Sequence, residues 1–205
     1  FFNEISHMPL FIWDPRAGIQ GERRKSLVQT IDLAPTILEF FGIALPEDMQ
    51  GIPLVETVAS DQPVRDGALF GIHGGHVNCT DGRYVYMRAA ATPDNTPLNQ
   101  YTLMPTHMHH TFSVGELQNI ELAEPFSFTK GCRTMKIGTP ADLFFNNSLF
   151  ADGNMLFDLQ SDPLQIHPLQ DAQLEERMIR LMVRLMKEND TPPEQYIRLG
   201  LQKYL

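Results

Sequence analysis

The chain has 205 residues, of which 42% are hydrophobic and 20% are charged, and its formal net charge is -9 at pH 7. These values are typical of a soluble protein with one or two hydrophobic cores. The acidic balance and the absence of a run of Lys and Arg argue against nucleic acid or an anionic membrane surface as the main partner. Because no apolar stretch approaches the roughly eighteen residues of a spanning helix, we expect no membrane span.

The first fifty residues have the pattern of a strand followed by a helix. Residues 9–13 form a continuous apolar run, which predicts a strand buried on both faces, as in a parallel sheet. In the helix that follows, we expect Asp32 to be the N-terminal cap, Pro35 to lie in the first turn and Gly42 to end the helix. Its predicted apolar stripe is Leu33, Ile37, Leu38 and Phe41. Since a parallel sheet needs several such units, we expect the rest of the sheet to lie outside this chain.

Beyond residue 54 the pattern changes to short strands and loops. Residues 55–66 predict a linker, because Ser, Asp, Gln and Pro cluster at 60–63. Asp81 and Gly82 predict a type I′ hairpin turn. The expected strands of an antiparallel sheet are 68–72, 77–80, 83–87 and 156–159. Apolar residues at helical spacing over 172–187, with Asp171 as cap, predict a helix across one face of this sheet.

Five short motifs occur in a fixed order along the chain. They are P-L at 9–10, T-I-D-L-A-P-T-I-L at 30–38, M-Q-G-I-P-L at 49–54, D-G-R-Y-V-Y at 81–86 and L-F-D-L at 156–159. In this order they resemble the C-terminal part of sulfatases in the alkaline phosphatase superfamily, the arylsulfatase-like enzymes. The resemblance covers most of the chain, but residues 89–150 match no known part of the family.

The resemblance implies a sulfuric ester hydrolase, which cleaves a sulfate ester with a formylglycine made in a C-x-P-x-R motif, beside a divalent cation that is usually calcium. It also places this motif and the cation ligands upstream of the strand at Pro9. Cys79 and Arg83 have the right spacing, but Asp81 stands at the proline position, before a hairpin turn. We therefore expect no catalytic residue, no metal ligand and no cofactor in this chain, and no activity from the chain alone.

The expected fold class is α/β. Residues 1–55 should supply the last strand and helix of a mostly parallel sheet, the end of the main sulfatase-like domain. Residues 56–205 should form a small antiparallel α+β subdomain packed by a C-terminal helix, with an insertion at about 89–150. Cys79 and Cys132 are too few to define a disulfide framework, so we expect two free thiols and the redox compartment stays open.

Histidines are the candidate binding residues. Two clusters supply five imidazoles: His73, His76, His107, His109 and His110. Three interpretations are open: a metal site, exposed loop histidines, or a loop that reaches the substrate cleft of the complete enzyme. A metal site would need third and fourth ligands, which neither cluster supplies. For the third interpretation the candidates are His76, Tyr101, His107 and His109, because long loops on a rigid scaffold often carry binding residues.

Two rival functions remain open at this stage. A phosphatase or phosphodiesterase of the same superfamily would share the fold and differ only upstream. A non-catalytic interaction module would stand alone as a well-behaved monomer. If the parallel sheet is truncated, buried-type residues such as Phe11 and Trp13 should instead cause self-association. The substrate that best fits the resemblance is a small-molecule sulfate ester.

Overall fold

The computed structural model describes residues 2–104, 106, 107, 109–139 and 148–205. Its α-helices are α1 (Asn3–Ser6), α2 (Leu33–Phe40), α3 (Val55–Ser60), α4 (Val114–Leu117), α5 (Ser148–Asp152), α6 (Ala172–Glu188) and α7 (Pro193–Arg198). Its strands are β1 (Ala68–Gly71), β2 (Val77–Thr80), β3 (Tyr84–Arg88), β4 (Asn99–Thr102), β5 (Glu121–Ala123), β6 (Thr134–Gly138) and β7 (Met155–Asp158). In these described ranges no helix is long and apolar enough to cross a membrane.

The central sheet is antiparallel and has the strand order β1-β2-β3-β7, which confirms the predicted strands. The turn between β2 and β3 differs from the type I′ prediction. Asp81 N donates to Tyr84 O (3.4 Å), so the central residues are Gly82 and Arg83, and of these only Gly82 has a positive φ (93°). A type I′ turn needs a positive φ at both central residues, whereas a single glycine at the first position is the requirement of a type II′ turn.

Helix α6 lies across one face of this sheet, as predicted. Asp171 caps it by accepting hydrogen bonds from Gln173 N (3.0 Å) and Leu174 N (2.9 Å). Glu176 and Arg180 pair one turn apart on its outer surface (2.7 Å). The buried core beneath it is formed by Cys79, Tyr86, Leu156, Met178, Ile179, Met182, Val183, Leu185, Met186, Tyr196, Leu199 and Leu201.

The opposite face of the sheet carries a smaller cluster of buried side chains, Val85, Met87 and Phe157. The ring of Phe2 lies edge-on to Phe157, with 6.1 Å between centroids. Near it, Asn3 N donates to Gln165 Oε1 (2.6 Å). The first residues of the chain therefore pack against this face of the sheet.

Residues 89–139 of the insertion form a second antiparallel sheet with the strand order β4-β6-β5. The sequence analysis placed no element in this region, so the sheet is new. The remainder of the insertion at 140–147, with its two phenylalanines, lies outside the described residues.

Two predictions about the first third of the chain are wrong. Residues 8–14 form neither helix nor strand, because a strand needs a paired neighbour and the described residues provide none for this segment. Phe11 and Trp13 are accordingly 92% and 77% exposed. The predicted linker begins with helix α3, whose C-terminal cap is Asp61 in the left-handed conformation (φ 59°). The end of α2 is confirmed, since Gly42 has a φ of 67° directly after the cap.

Candidate functional site

Asp32 joins the segments that carry the first sequence motifs. Its side chain is fully buried. Its carboxylate accepts hydrogen bonds from Gln29 N (2.7 Å) and Ile52 N (3.0 Å), and it forms an ion pair with Arg65. Gln29 in turn accepts from Arg65 Nη1 (2.8 Å) and donates to the carbonyl of Leu69 in β1 (2.9 Å). Asp32 lies at the N-cap position of α2, as expected, but its side chain makes no capping hydrogen bond there. It closes the preceding 3-10 turn instead and ties three segments together. We call this group the Asp32 junction.

Thr36 and Gly51 complete the Asp32 junction. The Thr36 hydroxyl donates to the carbonyl of Asp32 (2.5 Å) and accepts from Leu54 N (3.0 Å). Gly51 lies so close to Ile31 that a Cβ atom there would be 2.0 Å from the Ile31 carbonyl oxygen. The motifs at 30–38 and 49–54 thus fit each other through main-chain contacts, which gives them a structural role.

His76 lies just before β2 and is buried, at 6% exposure. Its Nε2 is 2.9 Å from the carbonyl oxygen of Gly153, and since a carbonyl only accepts, Nε2 carries the proton. Burial lowers the pKa of His76, with a smaller contribution from the charge of Arg198, so the ring is neutral near pH 7. The structure therefore places this candidate inside the fold.

Tyr101 lies half-buried in β4, where its hydroxyl donates to Glu194 of α7. Asn99 Nδ2 donates to the same carboxylate oxygen (2.8 Å). The ring packs edge-on against Phe126, with 5.2 Å between centroids. Burial and the neighbouring carboxylate both raise the pKa of Tyr101, so its hydroxyl stays protonated. Glu194 was missed by the sequence analysis, although a proline at the first helical position followed by an acidic residue is a helix-start signal.

His107 and His109 lie in the loop before α4. His107 Nε2 is 2.6 Å from Glu116 Oε1, and its ring is 4.2 Å from that of Phe112. Hydrogen bonds from the main chain and hydroxyl of Ser113, together with His107, lower the pKa of Glu116 to about 2. His109 is exposed. His76, Tyr101 and His107 are thus held by different partners, and within the described residues no hydrogen-bond partner is shared between the candidates.

Cys79 and Arg83, which have the spacing of the formylglycine motif, both have structural roles. Cys79 is buried in β2, burial raises the pKa of its thiol to about 12, and its Sγ lies 3.5 Å from the carbonyl of Met178. The Arg83 guanidinium donates twice to Asp158 (3.1 and 2.8 Å) and ties the hairpin to β7. Both cysteines are free thiols, as expected, with Cys132 exposed. Over the described ranges, no group of three His, Cys, Asp or Glu could hold a metal ion.

Comparison with known proteins gives matches over the first third of the chain. A model of the C-terminal domain of N-sulphoglucosamine sulphohydrolase matches residues 1–71. The N-acetylglucosamine-6-O-sulfatase of Bacteroides thetaiotaomicron is 38% identical over 53 residues, which are 26% of this chain and 10% of that protein. Arylsulfatase K of Xenopus laevis is 34% identical over 55 residues, which are 27% of this chain and 10% of that protein.

Residues 1–71 match the C-terminal part of a sulfatase. The resemblance inferred from the order of the motifs is thereby confirmed. The sulfatase match includes the whole Asp32 junction and ends in β1. The chain spans only a tenth of the length of either curated relative.

Two solved structures are similar over a longer part of this chain, at 13% sequence identity. One is a structure of a protein in complex with its substrate, D-glucosamine-2-N,6-O-disulfate, with a TM-score of 0.42 over 80% of this chain and 24% of that one. The other comes from work on glycosaminoglycan metabolism by Bacteroides thetaiotaomicron, with a TM-score of 0.43 over 82% of this chain and 26% of that one.

Proposed function

We propose that this chain is the C-terminal part of an enzyme that hydrolyses sulfate esters, and that it supplies no catalytic residue itself. The observation that carries the proposal is the sulfatase match at residues 1–71, which coincides with the Asp32 junction. The polar groups of that junction are engaged in holding the fold, so the matched residues position other parts of the enzyme. In this proposal residues 1–55 end the main α/β domain and residues 56–205 form the C-terminal subdomain.

The residues that the structure describes do not fit the formylglycine or the calcium ion that a sulfatase uses. Cys79 is inside a strand, and its high thiol pKa keeps it protonated. The described residues hold no cluster of carboxylates suited to a hard cation. Both groups would therefore belong to the part of the enzyme that this chain does not include, and the chain alone would be inactive.

We propose that the main α/β domain covers the exposed apolar surface formed by residues 9–13 and helix α2. Phe11 and Trp13 project from the first segment, and Ile37 and Phe41 are exposed at 58% and 69% on the second. Monomeric proteins rarely leave large apolar patches uncovered. If this surface has no partner, the chain should self-associate in solution.

We also propose that the insertion contacts the sulfate ester in the complete enzyme. His109 is exposed, and Tyr101 and His107 are half-buried at the surface of the second sheet and its loop, so these three could reach a ligand. His76 could act only by positioning, because its ring is buried and its Nε2 donates to Gly153.

The test is hydrolysis of an aryl sulfate and of the matching aryl phosphate, by the 205-residue chain and by a full-length protein that contains it. We expect only the full-length protein to be active, and on the sulfate. Preferential hydrolysis of the phosphate would favour a phosphatase of the same superfamily. Turnover of the sulfate by the 205-residue chain alone would overturn the proposal.

The contact of the insertion with substrate is tested separately in the full-length protein. His109→Ala and Tyr101→Phe should raise KM more than they lower kcat, whereas His167→Ala is the matched control, since His167 is exposed on a different segment. Unchanged KM values in the first two variants would remove the insertion from the substrate site. They would leave the sulfatase assignment intact.

A further inference from the structure

The loop at residues 164–166 presents two apolar side chains to solvent on either side of a buried amide. Leu164 and Ile166 are each 61% exposed, whereas Gln165 between them is 5% exposed. Gln165 has a φ of 53°, in the left-handed region that residues other than glycine rarely adopt. At this turn the amide therefore lies inside the fold and both neighbouring side chains lie outside it.

Main-chain hydrogen bonds fix the position of this loop. Gln165 N donates to the carbonyl of Asp162 (3.1 Å), and His167 N donates to the carboxylate of Asp162 (2.8 Å). Leu169 N donates to the carbonyl of Leu156 in β7, the last strand of the central sheet (2.7 Å). The exposure of the two apolar side chains is therefore a property of an ordered loop.

The buried amide holds the start of the described chain. Asn3 N donates to Gln165 Oε1 (2.6 Å), and the ring of Phe2 lies edge-on to Phe157 of β7. Because Asn3 N can only donate, this contact fixes which way the amide points. Gln165 Nε2 is then a buried donor with no hydrogen-bond partner among the residues that the structure describes. Buried polar groups in native folds are nearly always paired, so this donor calls for an acceptor.

We propose that the loop at 164–166 is a docking surface for the main α/β domain of the complete enzyme. The inference rests on the proposed function, in which residues 1–55 end a domain that begins before residue 1. Successive Cα atoms are about 3.8 Å apart, so the first residue of that preceding chain lies within about 15 Å of the Gln165 amide. The domain covers Leu164 and Ile166, and one of its acceptors pairs with Gln165 Nε2.

The amide and the chain start decide this assignment. Single exposed apolar residues are common on protein surfaces and need no partner. Here, however, the two apolar side chains flank an unpaired buried donor, and the same amide holds Asn3. The interface proposed for residues 9–13 and α2 thereby extends onto the C-terminal subdomain.

Thiol labelling measures the exposure of this loop in the 205-residue chain and in a full-length protein that contains it. Leu164→Cys and Ile166→Cys place a thiol on either side of Gln165, and peptide mass spectrometry gives the labelling rate of each. We expect both thiols to react about ten times more slowly in the full-length protein, because a covered thiol is inaccessible to the reagent. Leu205→Cys is the matched control and should react equally in both proteins. Leu205 is 64% exposed, and its carbonyl accepts from Lys187 of α6, on the other face of the sheet.

The labelling rates also distinguish the possible occupants of the loop. Equal rates in the two proteins would overturn the proposal. Slow labelling in the 205-residue chain would overturn it as well, and a rate that falls with chain concentration would identify a second copy of the chain as the occupant. A full-length protein that hydrolyses the aryl sulfate but labels like the 205-residue chain would keep the proposed function and lose the docking surface.

A charge in the loop gives a second measurement. Leu164→Asp should leave the Tm of the 205-residue chain unchanged, because the carboxylate stays in water. It should lower the Tm of the full-length protein by about 5 °C or more, because a covered carboxylate without a partner is costly. Leu205→Asp is the control and should change neither value. A full-length protein whose Tm is unaffected by Leu164→Asp would refute the docking surface.

Discussion

Replacing Gly51 with alanine tests whether the Asp32 junction holds the first third of the chain together. Gly51 has no left-handed main chain to strain, so alanine can adopt its conformation and the cost is purely steric. The new Cβ would be 2.0 Å from the carbonyl oxygen of Ile31 and 3.0 Å from a ring carbon of Pro35. Two main-chain segments must therefore separate, which also lengthens the hydrogen bond from Ile52 N to Asp32 (3.0 Å).

The expected cost is the sum of these two effects. Overpacking costs about 1–3 kcal/mol and the loss of a hydrogen bond to a charged group about 1.5–3 kcal/mol, so we expect a loss of about 2.5–6 kcal/mol in the free energy of unfolding. For a chain of this length that corresponds to a fall in Tm of about 10 °C. Urea unfolding at 25 °C measures the free energy, and a thermal scan measures Tm.

Gly115→Ala is the matched control for this substitution. Gly115 lies in α4, and a Cβ atom there would be 3.9 Å from its nearest neighbour, the hydroxyl of Ser113. Because alanine favours helix over glycine, this variant should be neutral or more stable by up to about 1 kcal/mol. If Gly51→Ala loses less than about 1 kcal/mol, the contact between the two motif segments is not what positions them.

Three further substitutions or treatments probe other parts of the fold. Asp32→Asn removes the buried carboxylate that pairs with Arg65 and should cost about 3–5 kcal/mol in urea unfolding, and a loss well below this range would contradict the ion pair. Hydrogen bonds from Arg83 lower the pKa of Asp158, so their stabilisation is complete above about pH 4 and is lost as the pH falls below it. Arg83→Gln should therefore flatten the fall of Tm between about pH 4 and pH 2, and an unchanged slope would refute this. A thiol reagent should label only Cys132 in the native chain and also Cys79 in urea; rapid native labelling of both would show that β2 is not sealed.

The hairpin and helix α6 could be predicted because their signals are local. Asp81 and Gly82 specify a turn within four residues, and the apolar spacing behind Asp171 repeats over seventeen residues of helix. The error in the predicted turn type also has a local cause. Asp81 Oδ1 accepts from the main-chain N–H groups of Arg83 (3.0 Å) and Tyr84 (2.7 Å), which moves the centre of the turn by one residue.

Helix α3 was missed because its end is stabilised by residues that are distant in the sequence. Arg24 donates to the carbonyls of Val58 (2.9 Å) and Ala59 (3.0 Å), which are among the last four of the helix and have no intrahelical partner. Asp61 accepts from the main-chain N–H groups of Lys25 (2.9 Å) and Ser26 (3.0 Å). A six-residue helix has little intrinsic stability, so contacts with residues 24–26 decide its formation, and the local composition of a linker gives no sign of them.

The second sheet was missed for a different reason. Alternating hydrophobicity reveals a strand only when one face is buried and the other is in water. All four residues of β4 are half-buried, and β5 is mostly exposed, so neither strand alternates. Because these strands do not alternate, the candidate on this sheet, Tyr101, was found by its residue type alone. Glu194 of α7, which accepts a hydrogen bond from Tyr101, was not found.

The apolar run at residues 9–13 shows what a hydrophobic pattern does and does not determine. Its composition is that of a strand enclosed on both faces, yet Phe11 and Trp13 are exposed and no strand forms. A strand in a sheet makes main-chain hydrogen bonds to its neighbours as well as apolar contacts. The apolar residues of a segment can provide only the apolar contacts. The segment therefore has the residues of a buried strand without a neighbour to pair with. It is this combination, next to a helix with Ile37 and Phe41 in solvent, that favours an interface with a further domain over an ordinary surface loop.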